Sequence, residues 1–498
     1  MIAPRAGRIL SLILAVSILA VIVLINTNSR SSILIKEICA VSGSIALMAV
    51  SGVFVLAGAR FSIARVSRPM LLSLLALIAW VVARHFTGVQ SVNGPMIIYY
   101  LMALSGLVLV MTMFLDLQDR DLVLWVLLGG TLMLWAYALT QSMGVTLFRW
   151  DAGLILEARS SGSLGNPNLL GSFAAAMIPV GSAFLYTRER LGRMRLPFAV
   201  LFALLCAGAL IASETRGSLI GVAALLILVP LLPSIRRTGL KRVAMLLLAI
   251  LIILGMAGFV LRNRIAEITA SSDEVSTTGV RRLIWSGAIA MIEDRPIAGW
   301  GPGSFQIIFP QYRDPAYNLQ GVQHNTLQVH CEYLEILSDL GFVGLLLWGS
   351  LVLTTAARVR RLPGISSAAG GRRDAVSDPP PDTAVPIDWT ALGLIGGIVS
   401  LLAEASVSVA LRWPPSAFLL ALLVGLLLTS IPPAMKPARP LRRVFTALPL
   451  LSLAAYLSIQ ALPEYSNALL SGRLLFMGKD FYLDQVETKI VQAMDAAG

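Results

Sequence analysis

Charge is what this sequence has least of. Asp, Glu, Lys and Arg make up 13% of its 498 residues, where a soluble globular domain carries about 25%, and that shortage excludes a soluble enzyme. Histidine is rarer still, with only His85, His324 and His330. Cysteine occurs as Cys39, Cys206 and Cys331, too few for a disulfide framework, and two of them lie inside apolar runs. There is no paired His/Cys spacing, and the acids Asp273, Glu274, Glu293, Asp294 and Asp314 are scattered, so a metal is disfavoured. No glycine-rich phosphate loop with its Lys and Ser/Thr is present; nucleotide hydrolysis has no support, and no cofactor is expected.

Hydrophobic sequence fills the chain instead: 57% of residues are apolar or aromatic and the mean hydropathy is +0.80. A helix needs about 20 apolar residues to cross a bilayer, because only a closed intrahelical ladder satisfies the backbone there. Thirteen such runs occur, near 9–26, 38–58, 69–83, 95–115, 122–144, 168–187, 196–213, 217–233, 243–261, 333–356, 389–411, 416–432 and 444–462. This pattern predicts an all-α, polytopic integral membrane helix bundle of about 12–13 transmembrane helices with one large external loop. The third run is the shortest. The first follows Arg5 and Arg8, exceeds a signal-peptide core and lacks a small-residue cleavage site after it, so it reads as a retained helix.

The net charge of +12 does not indicate nucleic acid, because the basic residues sit in short clusters between apolar runs. With a cytoplasmic amino terminus, the basic loops 59–68, 188–195, 234–242, 357–388 and 433–443 all fall on the cytoplasmic side. The other side receives 145–167, the turn at Arg216, the long 262–332 segment, 412–415 and the tail from Pro463. The expected organisation is therefore membrane helices over 1–261, an external loop over 262–332, and further membrane helices over 333–462. The last group is interrupted by a Gly/Ser/Pro-rich linker at 357–388, and a helical tail follows over 463–498.

Polar chemistry concentrates in the long loop. An amphipathic pattern runs from Leu283 and Trp285 to Ile292, a turn-rich run spans Pro296–Gly303, and a helix is expected from about His330. On that helix His330, Tyr333 and Leu334 would share one face while Glu332, Glu335 and Asp339 mark another. A histidine at the membrane surface can accept a proton from a hydroxyl; spacing alone favours an ordinary interfacial residue. Arg216, Arg281 and Arg282 have the same two readings, as snorkelling anchors or as forks for a lipid diphosphate. Glu404 is a lone acid within an apolar run, with no obvious partner.

Four segments, in order, resemble the O-antigen ligase and O-antigen polymerase superfamily of bacterial envelope glycan enzymes. Ser163-Leu164-Gly165-Asn166-Pro167-Asn168 is similar to its GNPN stretch, and Ser213-Glu214-Thr215-Arg216-Gly217-Ser218 to its S-x-[ST]-R-[GA] turn. Arg281-Arg282-Leu283-Ile284-Trp285 running to Pro296–Phe305 resembles R-x-x-x-W…P-x-x-G-x-G-x-x-x-F. The segment from His330 through Tyr333-Leu334, Asp339, Gly341 and Gly344 resembles H-N-x-Y-L-x-x-x-x-[DE]-x-G-x-x-G, with Cys331 standing where the family commonly has Asn. His324-Asn325 matches His-Asn but lacks the continuation.

The resemblance implies a multi-pass protein of the bacterial inner membrane that moves a glycan from a polyprenyl diphosphate-linked donor to a hydroxyl of a glycan or lipid-linked sugar acceptor at the periplasmic face. Its functional positions map onto Arg216, Arg281 and His330. Arg282, Asn166, Asn168 and Tyr333 are further substrate-binding candidates, and the offset to Trp285 favours Arg281 within the doublet. His330 would deprotonate the acceptor and the arginines would stabilise the leaving diphosphate, inverting the sugar without a metal. A protein O-oligosaccharyltransferase shares these motifs. A flippase of lipid-linked glycans is the rival of another class; it would show an internal repeat and a charged midplane cavity, neither of which is evident here.

Overall fold

A computed structural model describes residues 3–24, 32–145, 159–236, 238–260, 277–319, 326–360, 362, 387–432 and 443–467. The described residues form helices joined by turns and short 3-10 segments, with no β-strand among them. The principal helices are α1 (Ala3–Val23), α2 (Ser32–Leu56), α3 (Arg68–Thr87), α4 (Gly94–Phe114), α5 (Leu117–Ser142), α6 (Pro167–Tyr186), α7 (Arg195–Ser213) and α8 (Arg216–Leu231). They continue as α9 (Leu240–Val260), α10 (Thr277–Asp294), α11 (Phe305–Tyr312), α12 (Glu332–Val359), α13 (Trp389–Glu404), α14 (Pro414–Thr429) and α15 (Arg443–Asn467). Ten helices are long and apolar enough to cross a membrane, and three shorter apolar ones, α8, α13 and α14, coincide with the remaining runs expected from sequence. The chain is an all-α, multi-pass membrane protein.

Three expected boundaries move. α3 runs to Thr87 and is 20 residues long; the polar pair Arg84 and His85 ended the apolar run but not the helix, because Arg84 is buried and its guanidinium donates to the carbonyls of Ala298 and Gly299, each at 2.8 Å. α13 stops at Glu404, not near 411, since the backbone beyond it serves other segments: Ala405 O accepts from Glu332 N at 2.9 Å and Val407 O from Arg281 at 3.3 Å. α15 continues through Pro463 to Asn467; the rest of the tail lies outside the described residues.

Packing is tightest around α6, which touches α7 and α13 through small residues. A Cβ at Gly181 would lie 2.1 Å from the Phe202 ring, and one at Gly397 would lie 2.6 Å from Val180, so close helix approach holds these three together where lipid offers no hydrophobic drive. α9 has the opposite character, with Leu248, Ile252 and Phe259 all exposed as a lipid-facing surface. The described part of the long loop folds on its own apolar cluster of Ile284, Ala288, Met291, Phe305, Ile308, Phe309, Tyr317 and Val329.

Described residues of the basic loops 59–68, 188–195 and 357–388 gather at one end of the bundle. At the basic end, buried Arg65 donates to the carbonyls of Ile431 (2.7 Å), Thr112 (3.2 Å) and Leu115 (2.5 Å), and Arg358 donates to those of Ala64 and Arg65. Arg120 pairs with Asp121 and Asp388, and Arg188 with Asp121. The four motif segments meet at the opposite end.

Candidate active site

The first two motifs form one corner. Asn166 caps α6, its side-chain oxygen accepting from the Asn168 N–H at 2.8 Å, with Pro167 in the first turn where a missing N–H costs nothing. Asn168 Oδ1 accepts in turn from Arg159 Nη2 at 3.1 Å. Arg159 also donates to Ser213 O at 3.0 Å and reaches Thr215 Oγ1 at 3.3 Å, while Thr215 donates to Pro167 O at 3.0 Å. Glu214, in the left-handed region at φ +49°, ends α7 and turns the chain, so half-buried Arg216 opens α8. Below this corner Ser172 and Ser218 donate to Glu404 Oε1 at 2.7 and 2.9 Å. The acid without an obvious partner in sequence therefore joins α6, α8 and α13.

The second corner comes from α10 and the turn before α12. Arg281 lies on the face of α10 that also buries Ile284 and Ala288; it is half-buried and donates to Val407 O, whereas Arg282 is exposed. Burial, and then the positive charge of Arg216, hold the Arg281 guanidinium below its ordinary value. His330 is pushed down from 6.5 to about 4, first by burial and then by Arg281. Arg281 thus lies within electrostatic reach of both Arg216 and His330, which come from two other segments.

His330 is not helical. α12 begins at Glu332 with Cys331 at its N-cap, and His330 has φ +60°, a left-handed conformation that costs a residue with a Cβ about 1–3 kcal/mol. The shared helical face with Tyr333 and Leu334 does not exist, because the left-handed residue takes His330 out of register. Tyr333 instead donates its hydroxyl to Leu402 O and sets its ring edge-on to Trp348, with centroids 5.5 Å apart. His324 lies outside the described residues.

The third and fourth motifs interlock through a break in α12. Gly341 has φ +68°, and a Cβ there would lie 2.2 Å from Ile297 O; Gly299, at φ +67°, approaches Asp339 as closely from the other side. Through that gap Trp300 N donates to Ser338 O and Gly301 N to Asp339 O (both 2.8 Å), while Phe342 N and Val343 N donate to Pro296 O (2.8 Å) and Ile297 O (3.3 Å). The acids Glu332, Glu335 and Asp339 do share a face, and Arg412 from the turn before α14 sits among them at 3.2, 3.4 and 2.9 Å. Burial pulls the Arg412 guanidinium down, but the three carboxylates outweigh it and hold it above its ordinary value.

Residues 201–349 match the O-antigen ligase family model. That stretch is similar to O-antigen ligases. Its match includes the Arg216 turn, the Arg281 helix and the His330 segment; the GNPN corner precedes it and is tied to it through Arg159, Asn168 and Thr215. No curated protein sequence matches the chain. The likeness supports an O-antigen ligase-like or polymerase-like glycosyltransferase activity.

Sequence reasoning missed Arg159 and the role of Arg412. Arg159 stands seven residues before Asn166 in a segment without periodicity, and its significance appears only when Ser213 and Thr215 are beside it. For Arg412 a signal existed: three acids on one helix face, all buried, call for a cation from elsewhere.

Proposed function

We propose that the protein transfers a glycan, with inversion, from a polyprenyl diphosphate carrier to an acceptor hydroxyl at the periplasmic face of the inner membrane. The observation that supports this reading is that Arg281 lies within electrostatic reach of both Arg216 and His330, at the end of the bundle opposite the described basic residues. Two half-buried guanidiniums within electrostatic reach of each other give a positive field, and their forks suit the oxygens of a diphosphate. As the anomeric bond breaks, charge builds on that diphosphate, where the same arginines stabilise it. His330, neutral in the empty site, accepts the proton of the attacking hydroxyl. Donor binding offsets the charge of Arg281 and raises the basicity of His330, so the base strengthens once the donor is in place.

The test is purified protein in lipid nanodiscs with lipid-linked glycan and acceptor. Transfer is expected without nucleotide and in excess chelator. Arg216→Ala and Arg281→Ala should each abolish it, Arg281→Lys should recover little, and exposed Arg282→Ala should keep most of it. Near-normal transfer by both alanine variants, or reversible loss with chelator, sinks the reading.

A further inference from the structure

His330 sits in a backbone conformation that an ordinary residue avoids, and neither neighbour supplies a conventional cap: Cys331 makes no side-chain capping bond. What holds the turn is the Val329 peptide, gripped on both sides. Its N–H donates to Glu335 Oε2 at 3.1 Å, and its carbonyl accepts from Trp285 Nε1 at 3.0 Å. Val329 and Glu335 are buried, and Arg412 fixes the other oxygen of Glu335 at 3.4 Å. Just beyond His330, the Glu332 N–H is taken by Ala405 O at 2.9 Å. The grip therefore links three elements: α10, which carries Arg281; α12; and the turn that carries Arg412.

We propose that Glu335, braced by Arg412 and opposed by Trp285, is the positioning residue that holds His330 beside Arg281. This deepens the proposed reaction and rests on it for its catalytic consequence. The reasoning is geometric. A left-handed residue relaxes toward extended or helical backbone unless its flanking peptides are over-determined, and such a relaxation would swing the imidazole away from Arg281. Glu335 reaches back past the helix start to a free N–H, as capping-box acids do, but here the N–H belongs to the residue that sets the direction of His330. Charged or titratable groups around the turn are Arg281 from α10, Arg216 on α8 behind it, Glu332, Tyr333 and Glu335 on α12, and Arg412. Glu335 falls on an unspecified position of the fourth motif, and Arg412 lies outside all four.

Labelling with diethyl pyrocarbonate, which acylates neutral imidazole, tests this without any transfer assay; peptide mass mapping separates His330 from the other two histidines. In the native protein, labelling of His330 should be almost as fast at about pH 5.5 as at about pH 7, because its imidazole is neutral at both. In Glu335→Ala the ratio of the two rates should rise several-fold, toward the limit of about eightfold for a solvated imidazole. Glu335→Gln, which keeps an oxygen for the Val329 N–H, should stay near the native ratio. Trp285→Phe removes the other grip while keeping an aromatic ring, and decides the matter in the same way if Glu335→Ala does not insert. In transfer, Glu335→Ala should lower kcat by roughly 10- to 100-fold, within what a general base supplies, with the KM for donor little changed. Added to His330→Ala it should cost nothing more. An unchanged labelling ratio in a folded Glu335→Ala protein overturns the proposal. A native protein that labels as expected but moves no glycan overturns the reaction and leaves the positioning role standing.

Discussion

The two ends of the bundle use arginine in opposite ways. At the basic end four guanidiniums tie segments together: Arg65 through three carbonyls, Arg120 and Arg188 through carboxylates, Arg358 through two carbonyls. At the motif end Arg281 is set in the field of Arg216, like charge beside like, with a histidine pushed down next to them. The first arrangement is glue between helices. The second sets Arg281, beside its bond to Val407 O, in the field of a like charge, and such perturbed groups cluster at functional sites. Arg84 and Arg412 show that the motif end has structural arginines too, recognisable because carbonyls or carboxylates enclose them.

The comparison breaks most severely at His330. His330→Ala should lower glycan transfer by about 10²–10⁴-fold with insertion and thermal stability in detergent unchanged, whereas His324→Ala should keep most activity; equal losses would move the base elsewhere. Arg65→Ala should do the reverse. It leaves three buried carbonyls without their donor, so a destabilisation on the order of 2–5 kcal/mol is expected, read as a lowered melting temperature, while folded protein retains its transfer rate. A loss of rate without a loss of stability there would erase the distinction between the two ends.

The pH profile sharpens the comparison. His330 acts only when neutral, so activity is lost as pH falls through its pKa. In kcat/KM, which reports the free protein, that acid limb should lie well below the ordinary 6.5, toward about 4. In kcat it should lie higher, because bound diphosphate offsets Arg281. Coincident limbs would mean that the arginines do not meet the donor. Stability has the same sign, since the unfolded chain takes up this proton first as pH drops from 6.5 toward about 4, and the folded state loses ground across that window. The smallest effect belongs to Asn166→Ala, which removes a helix cap worth about 1 kcal/mol; a modest fall in melting temperature with transfer kept would make Asn166 a scaffold residue, and lost transfer would make it a substrate contact.

Spans and their order were legible because each is a local property: thirteen apolar runs became the ten long and three short apolar helices of the bundle. The two segments of the arginine corner were named by the family resemblance alone, and the Arg159 bonds that join them were not legible. The histidine corner was only half legible. The family resemblance named His330, but the spacing placed it on a helix, because no local pattern announces that a non-glycine residue takes φ +60°. The residues that enforce this come from 44 positions upstream, at Trp285, and from Arg412, 73 to 80 positions beyond the acids it holds. A pairing over such distances leaves only a one-sided trace in a single sequence, here three buried acids lacking a cation.

The break at Gly341 also sets a depth. As one uninterrupted rod, the 28 residues of α12 would measure about 42 Å, some 12 Å more than the roughly 30 Å hydrocarbon layer. Divided at Gly341, the stretch 342–359 alone measures about 27 Å, close to that thickness, and on the proposed reaction 332–340, with its acids and the turn at His330, stands at head-group level. On the proposed reaction the carrier's diphosphate and the base then meet at the same height in the bilayer, and the lipid tail stays in oil throughout the transfer.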